Sequence, residues 1–419
     1  MLSSGALVPL TIEKPAAGGR MIARVDGQVV LVAGAIPGER VTAVIERVAK
    51  GVAYATTVSI EEPSADRREV DGDPLCGGCL YAPIAYRRQV EIKAAVIADA
   101  FGRIARLPLP SPVNVAPSPE AGYRMRARLH VRGRRIGFFR EGTHDICDPR
   151  QTRQLLPETC DSLERLSAGL ASLGLDAGRE VELAENIDAS ERVVYLDAAS
   201  PIDGRLLERL FEGGGLTGLA SANNLHGSPF VIDRLTFSGV TFALRRHVAA
   251  FFQGNRFLLP ALAAHVAEQV PERGDVLDLY AGSGVFALSA AVARGARVTA
   301  VEGDRVAAAD LTANAAAAAG AVTPVHRAVE AFLDNARGQS GSSAATVIVD
   351  PPRTGLSREA LESIVALRAP RLVYVSCDVA TLARDARRLA DGGYRLSRID
   401  AFDLFPNTPH VETVCVFEI

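Results

Sequence analysis

The sequence predicts an α/β protein in three parts: a small N-terminal β-barrel, a central α+β region, and a C-terminal parallel sheet with helices on both faces. Three observations predict it. Residues 8–60 alternate β-branched and polar residues in short runs broken by glycine and proline. Residues 123–140 alternate in the same way but are crowded with arginine. Beyond residue 255, apolar runs of about five residues alternate with helical patterns of about 10 to 15, the signature of a doubly wound sheet.

Composition bounds what such a fold can do. The chain has 419 residues, 48% hydrophobic and 23% charged, enough apolar material for two or three domain cores. Net charge is −3, so any surface for a polyanion must be local. Only Lys14, Lys50 and Lys93 are lysines, leaving 43 arginines, the planar donor suited to phosphate and base edges. The N-terminus, MLSSGALVPLTIEKP, lacks a cationic start followed by an apolar run. No window reaches the roughly 18 apolar residues of a membrane span. A cytoplasmic chain with no membrane partner is expected, and its six cysteines read as metal, catalytic or buried thiols rather than a disulfide scaffold.

In the barrel, expected over 1–62, the strands are Leu10 to Ile12, Val29 to Val32, Val41 to Ile45 and Ala53 to Ile60, separated at Gly18-Gly19, Gly27 and Pro37-Gly38. The polar stretch EEPSADRREVDGDP, residues 61–74, reads as a linker. The central domain is expected over 75–250. It opens with the Cys76/Cys79 pair, followed by one amphipathic helix from Tyr86 to Ile104, with Val90, Ala94, Ile97, Phe101 and Ile104 on one face. The segment Tyr123 to Arg140 holds seven arginines and no acidic residue, and so reads as a basic patch for phosphate contact. In the third domain, 251–419, strands are expected at 275–280, 297–302, 346–350 and 372–376. Helices are expected near 258–269, 285–293, 305–318, 357–367 and 379–390, and the run Ala315 to Ala319 reads as a helix end.

The chemistry-bearing motifs cluster in that domain. In DVLDLYAGSGVFALSAA a strand ends at the Gly282/Gly284 turn and opens into a helix, which aims backbone N–H groups at a ligand. Glu302, twenty residues beyond Gly282 at the next strand's end, is placed to accept both hydroxyls of a ribose. The spacing Gly282, Gly284, Ala287 also fits a dinucleotide fingerprint, which makes a nicotinamide enzyme the first rival. Two later strand ends oppose that rival: Asp350 in VIVDPPRTGL and Cys377 in YVSCDVATLARD, neither of which hydride transfer requires.

Together with FFQGNRF (Phe251 to Phe257) and FPNTPHVETV (Phe405 to Val414), these motifs closely resemble the S-adenosylmethionine-dependent RNA uracil-5-methyltransferases of ribosomal and transfer RNA. The likeness extends to CGGCLYAPIAYRRQVEIK, to the Arg-rich YRMRARLHV and to the barrel, which resembles the RNA-binding TRAM domain. It implies a class I methyltransferase fold and S-adenosylmethionine held by Gln253, Tyr280, Glu302 and Asp350, with Gly282 and Gly284 shaping the loop. It also implies an RNA partner, 23S rRNA or alternatively the T-loop of tRNA, with the uridine unstacked and flipped into the site. A monomer is expected, since RNA supplies the partner surface. A third reading is an RNA-binding protein that has lost catalysis.

The implied chemistry explains the residue types. Carbon 5 of uracil is a weak nucleophile until a thiolate, here Cys377, adds to carbon 6, and a base must afterwards remove the carbon-5 proton. Glu412 in HVET is the candidate base, because a desolvated carboxylate has its proton affinity raised toward the working pH. Related cytosine-5 enzymes carry a cysteine after the motif prolines where this chain has Arg353, which favours uracil. Cys415 and Cys160 read as structural, and His410 as a structural or substrate-edge residue. The family usually has Asn where this chain has Val285, so one polar contact to the cofactor is expected to be missing or supplied elsewhere.

Many members of that family also carry four cysteines that ligate a [4Fe-4S] cluster. Cys76 and Cys79 match the inner pair, but the outer positions are Val70 and Thr152, and Cys147 stands five residues before the latter. A retained cluster, another metal or a vestigial turn all remain open on this pattern.

Overall fold

The computed structural model describes every residue except 1, 71, 134, 141–142, 176–179, 199–200, 238, 319 and 338–343. Three expectations touch those positions: Asp71 of the linker, Arg134 of the arginine-rich segment and Ala319 of the alanine run lie outside the described residues.

The N-terminal strands form a six-stranded sheet in the order Leu7–Thr11, Arg40–Ala49, Val52–Glu62, Gln28–Ala33, Met21–Val25, Lys14–Pro15. Alternation puts Val30, Val32, Val41, Ala43, Ile45, Ala53 and Ala55 inside. Three register shifts between the two longest strands add local twist, which lets so small a sheet curl around its own core.

The central sheet has seven strands, ordered Ile146–Cys147, Arg135–Phe139, Arg126–Arg132, Glu180–Glu185, Arg192–Asp197, Gly218–Ser221, Leu225–Gly227. Helices Pro157–Ser172 and Gly204–Gly214 bury Leu163, Leu166, Leu207 and Leu210 against one face. A hairpin, Phe230–Phe237 with Val240–His247, leads on to the third part.

There the strand order is Val322–His326, Arg297–Glu302, Asp275–Leu279, Thr346–Val349, Arg371–Ser376, Glu412–Glu418, Arg395–Phe402, Asn114–Ala116. All pairings are parallel except those of Glu412–Glu418, which runs antiparallel to both neighbours. Such strands are buried on both faces, so Val347, Ile348 and Val349 or Leu372, Val373, Tyr374 and Val375 read as continuous apolar runs. Chain order reverses between Asp275–Leu279 and Thr346–Val349, and the crevice outside their carboxyl ends is where such sheets bind ligands.

Two features depart from the sequence reading. The helix expected from Tyr86 to Ile104 is α-helical only over Tyr86–Ala100, then widens to a π-helical turn, Phe101–Ala105, that ends at a left-handed Arg106. That helix and the strand Asn114–Ala116, read as part of the central domain over 75–250, pack instead in the C-terminal body. Ile97, Phe101 and Val115 lie in one core cluster with Tyr374, Leu382 and Cys415. A buried ion pair of Lys93 and Asp403, 1% and 0% exposed and 2.5 Å apart, also joins the helix to that body, with Tyr86 Oη donating to the same aspartate at 2.9 Å.

Candidate active site

The crevice is built from five strand ends and one preceding loop. After Leu279 the chain turns through Tyr280 and Gly282, both at positive φ, and Gly284 caps helix Val285–Arg294 at φ 95°. A Cβ on Gly284 would lie 2.7 Å from Leu311 and 2.8 Å from Leu288, so glycine there serves both backbone conformation and packing. A Cβ on Gly282 would meet open space, which is the room a ligand needs.

Glu302 closes one side. Its two oxygens accept the N–H groups of Gly282 and Asp304, each at 2.7 Å, which locks the carboxylate across the loop while each oxygen keeps a second lone pair. Gln253, 6% exposed, donates to Asp350 at 3.0 Å, joining two expected cofactor residues that stand 97 positions apart. Burial pushes the Asp350 carboxyl up to about 7, against the lowering effect of the Gln253 hydrogen bond. Tyr280 donates to Glu330 at 3.2 Å, and Ser357 donates to the same carboxylate at 2.8 Å.

Sequence reasoning missed Glu330, which lies on a helix with no motif, and also Asp278 and Ser283. Asp278 is fully buried directly before the loop, and burial together with the charge of Asp350 drives its carboxyl well above the usual range. The buried Ser283 hydroxyl has no partner. Val285 packs in the apolar core beside Phe286 and Leu288. A carboxylate that grips the loop and an acid–amide pair around glycine-lined space fit a nucleoside bearing polar ends.

Cys377 and Glu412 meet on the adjoining strands. The antiparallel register ends with Ser376 opposite Thr413, so the next residues, Cys377 and Glu412, are neighbours at the sheet's carboxyl edge. Burial pushes the Cys377 thiol up to about 11, the charges of Glu412 and Asp350 push the same way, and Arg353 opposes them through charge and a hydrogen bond. Glu412 is 1% exposed with Oε1 unpartnered; burial and then Asp350 raise it well above a normal carboxylate, and Arg353 draws it back. Arg353 reaches the site from a loop tied to helix Val379–Asp391, where Thr381 Oγ1 donates to its carbonyl at 3.2 Å. His410 packs edge-on to Phe405, centroids 6.2 Å apart. Cys415 and Cys160 are buried in hydrophobic clusters.

The arginine-rich segment differs from the expectation of an uncompensated patch, because acids on the next strand over and on two nearby loops lie against it. Arg128 pairs with Glu182 and Glu180, Arg126 with Glu182, Arg132 with Asp145 and Arg140 with Asp73. Cross-strand neutralisation of this kind cannot be read from one strand alone. Arg124 instead donates to Gln154 at 2.7 Å and lies 6.0 Å from the Phe405 ring, on the side of the crevice.

Cys76 and Cys147 form a disulfide, so neither has a thiolate to give, and Cys79 is a buried free thiol. Among the described residues no group of three or more His, Cys, Asp or Glu side chains is arranged to hold a metal ion. No described helix is long and apolar enough to cross a membrane.

Residues 223–418 match the family model described as tRNA (Uracil-5-)-methyltransferase, and residues 3–58 match the TRAM domain. The chain is similar to the 23S rRNA (uracil(1939)-C(5))-methyltransferase of Pseudomonas putida, 32% identical with 98% of this chain and 93% of the relative covered. The corresponding enzyme of Methylococcus capsulatus is 31% identical, with 97% and 96% covered. The crystal structure of Pyrococcus abyssi tRNA (uracil-54, C5)-methyltransferase in complex with S-adenosyl-L-homocysteine superposes with a TM-score of 0.76. It is 25% identical and covers 97% of this chain and 99% of that one. With a glycine-lined nucleotide crevice beside a cysteine and a buried carboxylate, and with relatives matched along nearly its whole length, the chain belongs to the RNA (uracil-5-)-methyltransferase family.

Proposed function

We propose that the protein methylates carbon 5 of a specific uridine in 23S rRNA, with Cys377 as nucleophile and Glu412 as base. The observation that carries this reading is the meeting of those two side chains at the carboxyl edge, next to the Gln253–Asp350 pair. S-Adenosylmethionine, when bound, supplies an electrophilic methyl on a sulfonium.

The remaining work falls to the protein. Gln253, Tyr280, Glu302 and Asp350 hold the cofactor, and Gly282 and Gly284 keep the loop clear of it. The Cys377 sulfur bonds to carbon 6 of the flipped base, which moves the ring's double-bond electrons toward carbon 5 and the neighbouring carbonyl. Arg353, hydrogen-bonded to Cys377, stabilises the thiolate that attacks. Once carbon 5 carries the methyl, Glu412 takes its proton, and the returning electrons expel Cys377. A carboxylate as buried as Glu412 is a stronger base than one in water.

Ribosomal RNA is preferred because the Pseudomonas and Methylococcus relatives, matched from end to end, act on 23S rRNA. Transfer RNA is the second reading, favoured by the archaeal tRNA enzyme that shares the complete architecture. Mapping 5-methyluridine in both RNA pools of cells lacking the protein tests the choice. Loss confined to 23S rRNA is expected, and loss confined to tRNA overturns it. Chemistry is tested separately with RNA containing 5-fluorouridine: a denaturation-resistant adduct is expected, and an adduct that survives in Cys377→Ala refutes the nucleophile.

A further inference from the structure

A cavity of about 550 Å³ opens beside the catalytic lobe, and Val70, Cys76, Cys79, Cys147, Thr152 and Asn407 line it. A four-iron cluster needs four thiolates, and these residues do not fit one. Val70 has no donor atom, the Thr152 hydroxyl donates to the Pro149 carbonyl at 2.7 Å, and Cys76 is joined to Cys147. Cys79 is the remaining thiol. It is buried in the wall of the cavity.

What the disulfide ties together is specific. Cys76 begins the turn that leads into helix Tyr86–Ala100, and Cys147 lies on the edge strand of the central sheet, paired with Phe138. Gly77 N donates to the Phe139 carbonyl at 2.8 Å, so the same turn is also hydrogen-bonded to that sheet. A few residues on, the turn grips the loop that leads to Glu412. Tyr81 N donates to the Asn407 carbonyl at 2.8 Å, and Asn407 N donates to Gln89 at 2.9 Å. The covalent link thus lies one short segment away from Phe405, His410 and Glu412.

We infer that the Cys76–Cys147 bond is an oxidation-formed staple that stands where an iron–sulfur cluster would be held, fixing the loop 405–410 without metal. Its formation is balanced by a small-molecule disulfide as oxidant. Cys76 and Cys147 each give up the hydrogen of their thiol, one sulfur–sulfur bond forms, and the oxidant is cleaved to two thiols. The staple closes a 71-residue separation, so it limits the freedom of the whole segment in the unfolded chain.

The test uses the full chain, alkylated with N-ethylmaleimide at lysis and digested without reductant, with iron measured on anaerobically purified protein. A Cys76–Cys147 linked peptide, alkylation of Cys79 only after denaturation, and no bound iron are expected. Alkylation at both Cys76 and Cys147, or stoichiometric iron with absorbance near 400 nm, overturns the inference. Thermal unfolding gives a second readout. Reductant should lower the Tm of the wild type by several degrees and leave Cys147→Ala, already lower, unmoved; an equal response of both proteins also overturns it. If Cys147→Ala does not fold, the wild type with and without reductant decides, and an unchanged Tm is the refuting result. None of these readouts depends on methylation, so failure here is distinct from failure of the proposed activity.

Discussion

Arg353 should set the pH at which the Cys377 thiolate, the proposed nucleophile, becomes available. The Cys377 thiol is held at about 11. At about pH 8 it therefore lies roughly three units below ionisation, and making the thiolate costs about 4 kcal/mol at about 1.4 kcal/mol per unit. Of the charged groups that face the sulfur, Glu412 on the neighbouring strand and Asp350 after its own strand oppose ionisation, while Arg353 favours it. Two unit charges about 4 Å apart interact by about 4 kcal/mol at an effective dielectric of about 20. Arg353 is exposed, so water screens most of that, and roughly 1 kcal/mol is left. Arg353→Met should thus cut the thiolate fraction about five- to tenfold, shifting the profile up by nearly one pH unit. The assay is the rate of Cys377 alkylation by iodoacetamide, followed by peptide mass spectrometry across pH 7 to 11. In the wild type the rate should rise about tenfold per pH unit and level off near 11. Arg353→Lys should recover much of the shift, and the cofactor KM should stay unchanged. A flat profile between pH 7 and 10, or an unshifted Arg353→Met profile, refutes the reasoning.

Other consequences follow from the same site. Glu412→Gln should accumulate a methylated covalent complex with RNA, detectable on denaturing gels; rapid release at the wild-type rate would assign the base elsewhere. Gly284→Ala places a Cβ 2.7 Å from Leu311 in a left-handed backbone, so it should lose cofactor binding by calorimetry and lower the Tm. Lys93→Met leaves Asp403 charged and buried without its partner and should cost about 3 to 5 kcal/mol in denaturant unfolding. Asp350 sits at about 7 when folded, against about 3.9 unfolded. Its carboxyl is raised by folding, so its contribution to stability is complete below about pH 4 and is lost as pH rises through 7. The cofactor-free Tm should fall across that window in the wild type more steeply than in Asp350→Asn.

Much of the C-terminal sheet was legible because buried parallel strands write themselves as continuous apolar runs, and because Gly282 and Gly284 punctuate the first strand–helix turn. Helix Arg305–Ala316 carries a sequence signature too, with Asp304 accepting from the N–H groups of Val306 and Ala307. What escaped was whatever depends on a partner far along the chain. Asn114–Ala116 is three residues long and becomes a strand only because Asp400, Ala401 and Phe402 lie beside it. Val322–His326 contains Pro324 and is tolerated because it is the sheet's edge. Two of the acids that neutralise the arginine-rich strand, Glu180 and Glu182, lie about fifty residues beyond Arg128.

The candidate site shows the same division. The motifs at 279–284, 302, 350 and 377 follow strand ends, and a strand end is visible locally as an apolar run followed by a polar or small residue. The separation between motifs carries no such signal, yet it decides the chemistry. Gln253 becomes a partner of Asp350 only when the loop before helix Leu259–Glu268 folds across the crevice. Cys377 becomes a neighbour of Glu412 only because the last strand inserts antiparallel between Arg371–Ser376 and Arg395–Phe402. That insertion brings Glu412 to the edge beside Cys377, where a parallel strand would bring the other end of the strand, residue 418. The antiparallel strand is thus what allows one sheet edge to present Cys377 and Glu412 together, and a register slip of one residue would turn the Glu412 side chain to the opposite face.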